Sequence, residues 1–380
     1  MPMLTADTIQ PTPSNFAVAE SGLLQQTGGQ EVLWVGRAAT ALQVAYEMAK
    51  VRRPDVTEPE VIVPAMMCAT AANTAVLTGM KPRFADVGAD SGLITLESVQ
   101  ERFSAKTVAV VAIHLLGHTV AMDALKQWCD ENNLLLIEDP TQALGAKFSD
   151  GRYTGSVGDV AVYSFNRTKI IEAGNGVLVV NSAEMTDLLE QVLAEKSLSV
   201  LQLSPDETAQ LGLSYRNLHH SLVGLLRMRA VSVADVSAGF MRVQPAFLPM
   251  YTRAANPDID LNTAWETLPQ MLAQRLLLAE GYAERLEGGA WQLLTGFRQS
   301  GVCWRFSLLL HDERNQVTFS EAVRRDGFHV SNLYWPVNQF FRPEDSCPGA
   351  DSFGRRIVNL WVDPRVPGVD EAYVERCCDS

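Results

Sequence analysis

Asp139 closes the run LLLIED, and Ser164 and Lys169 end and follow the run DVAVYSF. Both runs read as buried strands, and in open parallel sheets ligands gather at the carboxyl ends of strands. A carboxylate and an amine, thirty residues apart in the chain and each at a strand tip, can therefore share one pocket. A lysine held out of water is costly unless its charge is neutralised or shared. One resolution is covalent: a desolvated amine forms a Schiff base with a carbonyl group.

Pyridoxal phosphate (PLP) needs that lysine, an acid for its ring nitrogen and a cradle for its phosphate. VGRAATA is a candidate cradle. Gly36 lets the backbone approach an anion, the helix that follows presents free N–H groups, and Arg37 adds a charge suited to bidentate contact. Each feature has an ordinary alternative. A lysine after a strand is commonly a solvated end residue, an aspartate before Pro140 a turn former, and a glycine before a helix a simple boundary. On these residues alone both readings stay open.

The elements that would position these groups alternate. EVIVPA, KPRFADV, TVAVVAIHL, LLLIED, DVAVYSF and GVLVVN read as strands, and the helical segments CATAANTAVLTG, ITLESVQERFS and AMDALKQWCDENN lie among them. Strands that are apolar throughout signal a mostly parallel sheet covered on both faces. Residues 1–32 read as an N-terminal arm, and residues 33–250 as a large domain with a helical extension after the sheet. A long amphipathic helix in AWETLPQMLAQRLLLAEGYAERLEGG would lead into a small α+β domain within residues 251–380.

Composition fits a folded enzyme of 380 residues, 47% of them hydrophobic. A formal net charge of −13 argues against bulk binding to nucleic acid or anionic membrane. The six cysteines form no C-x-x-C pair and are read as free thiols in a reducing cytoplasm. The start of the sequence lacks the pattern of a secretory signal, the longest apolar run is far short of a membrane span, and no metal site is expected.

The order of motifs goes further. VIVPAMMCATAANTAVLTGMKPRFADV, AIHLLGHTVAMDAL, LIEDPTQALGA and GSVGDVAVYSFNRTKIIEAGNGVLVVN together resemble the DegT/StrS family of sugar aminotransferases. The resemblance is close over residues 33–182 and thins beyond. It implies a fold-type I PLP enzyme: a three-layer, mostly parallel α/β large domain with a smaller C-terminal domain. It implies a homodimer with active sites at the interface, and amino transfer, usually from glutamate, to a nucleotide-linked keto-sugar. By position, Lys169 would be the Schiff-base lysine and Asp139 the partner of the pyridinium nitrogen. Gln142 would lie by the ring's O3′ edge, Ser164 would be a phosphate ligand, and Gly36, Arg37 and Ala38 would overlay the phosphate turn.

Several positions depart from the family pattern. Cys68 falls where many members stack an aromatic residue on the ring, and a small core residue is the plain alternative. About twenty-five residues usual between the entry segment and the phosphate turn are missing. The segment that reaches the partner's phosphate has only weak candidates, SYRNLHH and DIDLNTAWETLP. SNLYWPVNQFF stands in place of a histidine-bearing pattern, which puts Tyr334 at the substrate mouth. His114 is expected either to touch substrate or to be a satisfied interior histidine. The rival functions are a PLP-dependent sugar dehydratase, which in this family carries histidine at the lysine position, and a PLP-binding regulator without catalysis.

Overall fold

The computed structural model describes residues 3–4, 16–166, 168–195, 198–199, 204–228, 230–231, 261–332 and 334–379. In chain order its strands are β1 (Met3–Leu4), β2 (Glu31–Val35), β3 (Glu60–Pro64), β4 (Lys81–Ala85), β5 (Thr107–Ile113), β6 (Leu135–Asp139), β7 (Val160–Ser164), β8 (Gly176–Val180), β9 (Leu198–Ser199), β10 (Trp291–Leu294), β11 (Phe306–Leu310), β12 (Val330–Ser331) and β13 (Ile357–Leu360). Seven form one sheet in the order β2-β8-β7-β6-β5-β3-β4. Pairing is parallel from β4 to β7, whereas β8 runs against both of its neighbours.

Burial explains the continuous apolar runs. Every residue of β5, β6, β7 and β8 is buried, because helices cover both faces. One of those helices, α2 (Ala38–Arg52), is buried at eleven successive positions, Ala39 to Ala49. A helix enclosed on all sides needs small residues to let its neighbours close in, and Ala39, Ala41, Ala45 and Ala49 supply them.

Four further strands form an antiparallel sheet, β10-β11-β13-β12. The helix Leu268–Arg285 packs there through Leu278, Ala279 and Tyr282, which share a second core with Phe306, Leu308, Val358 and Val374. The expected fold, a mostly parallel α/β layer structure with a smaller α+β unit, is what the chain adopts. The large core takes in C-terminal side chains too, among them Trp304, Leu309 and Phe353. Backbone contacts bind the two parts: Val337 N donates to Ala65 O at 2.7 Å, and Gly349 N and Ala350 N donate to the Asp86 carboxylate at 2.9 Å.

The expected arm differs in its second half. Residues 17–27 form a helix, α1 (Ala17–Thr27), whose Ala19 and Leu23 are fully buried and whose preceding residue Phe16 stacks on Trp34 at 4.6 Å. The boundary at 250/251 and the helical segment after residue 231 lie outside the described residues.

Candidate active site

The candidate phosphate turn is built by register. Ser164 on β7 pairs with Gly176 on β8, and Gly176 pairs with Val35 on β2. Gly36 and Arg37 follow Val35 directly, so three sequence-distant segments meet in one row at the mouth of the sheet. A β-carbon on Gly176 would lie 2.1 Å from the Ala38 nitrogen and 2.1 Å from the Arg37 carbonyl carbon. Glycine there lets the start of α2 rest on the strand itself. Arg37 caps α2 in an extended conformation, and its side chain makes no capping bond to the helix. Ser164, 7% exposed, accepts from Asn166 N at 3.4 Å.

Gly176→Ala tests the turn. The clash is with backbone, which cannot swing away, so the variant is expected to be destabilised by about 1–3 kcal/mol. It is also expected to bind PLP more weakly, as read by urea unfolding and by titration with the cofactor. Unchanged values in both would show that the close approach is irrelevant.

The lysine sits in a folded loop beyond β7. Phe165 O accepts from both Ala173 N and Gly174 N at 2.6 Å. Within the loop Thr168 has φ 76°, a left-handed conformation that is costly for a β-branched residue. Its carbonyl is held by Trp304 Nε1 at 2.8 Å, its amide by Glu172 at 2.5 Å, and the next carbonyl, of Lys169, by Arg365 at 2.7 Å. The strain is thus over-determined by contacts that fix where Lys169 points.

Its amine donates to Thr141 Oγ1 at 3.3 Å, and Thr141 N donates to Asp139 Oδ1 at 2.9 Å. The expected meeting of amine and carboxylate occurs, with Thr141 between them. Burial pushes the Lys169 amine below its usual value against the opposing pull of Asp139. Burial pushes the Asp139 carboxyl up, against the pull of Lys169 and the bonds from Thr141. Burial shifts each group toward its neutral form, the direction that suits a nucleophile or proton carrier.

Behind this pair lies a closed polar group. Glu138, fully buried, accepts from His114 Nε2 at 2.9 Å, Gly155 N at 2.5 Å, Val157 N at 2.9 Å and Gly158 N at 2.8 Å. His114 Nδ1 accepts from Val120 N at 3.0 Å, which leaves the proton on Nε2. His114 is itself fully buried with both nitrogens engaged. It is therefore removed from the substrate-contact candidates and is an interior positioning residue. Gln142 accepts from Leu116 N at 2.7 Å, holding a second left-handed residue, φ 62°, beside the site.

At the mouth, Cys68 is exposed, with its Sγ 3.2 Å from Thr70 Oγ1. Arg305 and Lys169 both lie over the Trp304 ring, 4.4 Å and 6.0 Å from its centre. Trp304, Arg305, Thr141 and Glu138 were not anticipated from sequence. Trp304 and Arg305 come from the small sheet's side of the chain, and nothing local in WRF signals that they return to Lys169. His220 is exposed on the helix Pro205–Arg227, and the side chain of His219 lies outside the described residues.

The model of the DegT/DnrJ/EryC1/StrS aminotransferase family matches residues 11–232. The chain belongs to that family. GDP-perosamine synthase of Vibrio cholerae is 32% identical over 167 residues, 44% of each chain. The dTDP-3-amino-3,4,6-trideoxy-alpha-D-glucose transaminase of Micromonospora megalomicea subsp. nigra is 35% identical over 160 residues, 40% of each. These matches span less than half the length of the curated relatives. The structure of PseC from Helicobacter pylori, an aminotransferase involved in the biosynthesis of pseudoaminic acid, superposes with a TM-score of 0.71 at 15% identity, covering 96% of this chain and 90% of that one. At that identity the likeness is one of fold.

Among the described residues no helix is long and apolar enough to cross a membrane, no group of three or more His, Cys, Asp or Glu could hold a metal ion, and none of the six cysteines forms a disulfide.

Proposed function

We propose that this family member is a PLP-dependent aminotransferase that moves an amino group, with glutamate as donor, onto a nucleotide-linked keto-sugar or a related keto compound. The observation that carries the reading is Lys169: a buried amine with a lowered pKa, hydrogen-bonded to Thr141 and paired through it with Asp139. Those residues fit the cofactor, since the Gly176 cradle, the Ser164 hydroxyl and the first turn of α2 suit a phosphate, and Asp139 suits a pyridinium nitrogen.

PLP when bound supplies an aldehyde that condenses with amines and a ring that withdraws electrons. The chain supplies the rest. Gly36, Arg37, Ala38 and Ser164 would hold the phosphate, and Cys68 and Gln142 would border the ring. Asp139, anionic once a cation lies beside it, would keep the ring nitrogen protonated. The Lys169 amine, its pKa lowered by burial, would take a proton from the substrate carbon and return it. Tyr334 would face the substrate.

The keto-sugar class is supported by relatives whose names carry GDP- and dTDP-linked sugars. By the same family logic we place the enzyme in the cytoplasm as a homodimer, with a large domain over 33–250 and a small domain over 251–380. Lysine at position 169 favours amino transfer over the dehydratase reading. Retention of a costly buried amine disfavours a regulator without chemistry.

The test is a spectrum of the PLP-loaded protein before and after L-glutamate, followed by GDP- or dTDP-linked keto-sugars. The reading expects glutamate to convert the cofactor to its amine form and a keto-sugar nucleotide to reverse the change. A cofactor that binds but ignores glutamate would move the protein to the non-catalytic class.

A further inference from the structure

Arg305 is 3% exposed, and its guanidinium carbon lies 4.4 Å from the centre of the Trp304 ring and 4.2 Å from that of Trp361. Its hydrogen bond is to a carbonyl, from Nη1 to Trp304 O at 2.8 Å. Among the described residues no carboxylate lies within ion-pair distance of it. The neighbouring buried arginine differs: Arg275 pairs with Asp363 at 2.6 Å, and Asp363 is also engaged by Arg365 at 2.8 Å.

A buried guanidinium without an anion is expensive, and its fork is suited to bidentate contact with carboxylate or phosphate. Burial, with Arg275 nearby, lowers the Arg305 pKa to about 10, which still leaves it charged at neutral pH. Lys169 Nζ lies over the same Trp304 ring, 6.0 Å from its centre, so the unmatched cation and the proposed reacting amine share one indole.

We propose that Arg305 is the receptor for the α-carboxylate of the amino donor, held between Trp304 and Trp361 and presenting its free edge to the space beside Lys169. The inference rests on the aminotransferase reading and specifies how the donor is held. Position decides between the two anions at hand. In an α-amino acid one carbon separates the carboxylate from the nitrogen that is transferred. In a sugar nucleotide, ring atoms and the anomeric oxygen stand between the keto carbon and the diphosphate. An anion receptor beside the reacting amine matches the first.

The probe is 2-oxoglutarate, which does not react with the PLP-loaded, lysine-bound form. Its dissociation constant is measured by calorimetry on the wild type, Arg305→Gln and Arg305→Lys, with GDP and dTDP titrated in parallel. Removing one partner of a buried charge pair is expected to weaken 2-oxoglutarate binding in Arg305→Gln by about 30-fold or more. Nucleotide binding stays unchanged, which also shows that the variant is folded. Arg305→Lys, a point charge without the fork, should fall between.

Unchanged 2-oxoglutarate affinity in Arg305→Gln overturns the proposal. So does loss of nucleotide binding with 2-oxoglutarate retained, which would assign the guanidinium to a diphosphate. If Arg305→Gln loses both ligands, partial recovery of 2-oxoglutarate in Arg305→Lys supports the proposal and no recovery counts against it. Failure of wild-type protein to respond spectrally to glutamate would instead overturn the aminotransferase reading itself.

Discussion

Lys169→Ala is expected to slow the glutamate-dependent conversion of bound PLP by about 10,000-fold, the upper range for loss of a positioned proton carrier. The same variant is expected to unfold at a higher urea concentration than the cofactor-free wild type at neutral pH. The opposite signs follow from one cause. The amine is desolvated, which helps chemistry and costs stability. Its folded-state pKa lies below the usual 10.5, so between the two values the unfolded chain binds more protons than the folded one. Stability therefore rises with pH through that window in the wild type. Lys169→Ala removes this group's share of the slope. A variant that loses activity and also loses stability would show that the lysine is a structural cation.

Glu138→Gln is expected to destabilise the fold by about 2–4 kcal/mol, because an amide replaces a buried carboxylate whose donors are already in place. Four donors converge on that carboxylate. Burial alone would raise its pKa. The bond from His114, with the amides of Gly155 and Gly158, outweighs burial and holds the pKa below 4.5. Its stabilising share is present above pH 4.5 and is lost as pH falls through the depressed value. The wild type should therefore lose urea resistance steeply below pH 4.5, whereas Glu138→Gln should be weaker at neutral pH and less sensitive to acid. Equal midpoints at pH 7 would contradict the assignment. Effects on activity should follow through Asp139, the next residue on β6, and through the loop that His114 anchors.

The strands of the large sheet were legible because their apolar runs leave no polar face, and Asp139 and Lys169 were legible because one ends such a run and the other closely follows one. The helix Ala17–Thr27 lies within the segment whose sequence reads as an arm. Its Ala19 and Leu23 are spaced for one buried face, but the polar residues around them mask it. His114 sits at a strand end, where substrate contacts are expected. Only the placement of Glu138 next to Asp139, inward on the same strand, shows that the histidine serves the interior. The contribution of Trp304 and Arg305 depends on how the small sheet folds back over the large one, through contacts more than a hundred residues apart. Local pattern carries no signal for that.

The most direct test of the account is borohydride reduction of the PLP-loaded protein, followed by peptide mapping. The account predicts a single phosphopyridoxyl group on the peptide that holds Lys169, and none after treatment with L-glutamate before reduction. Label on another lysine, or no label on a protein that has bound the cofactor, would contradict it.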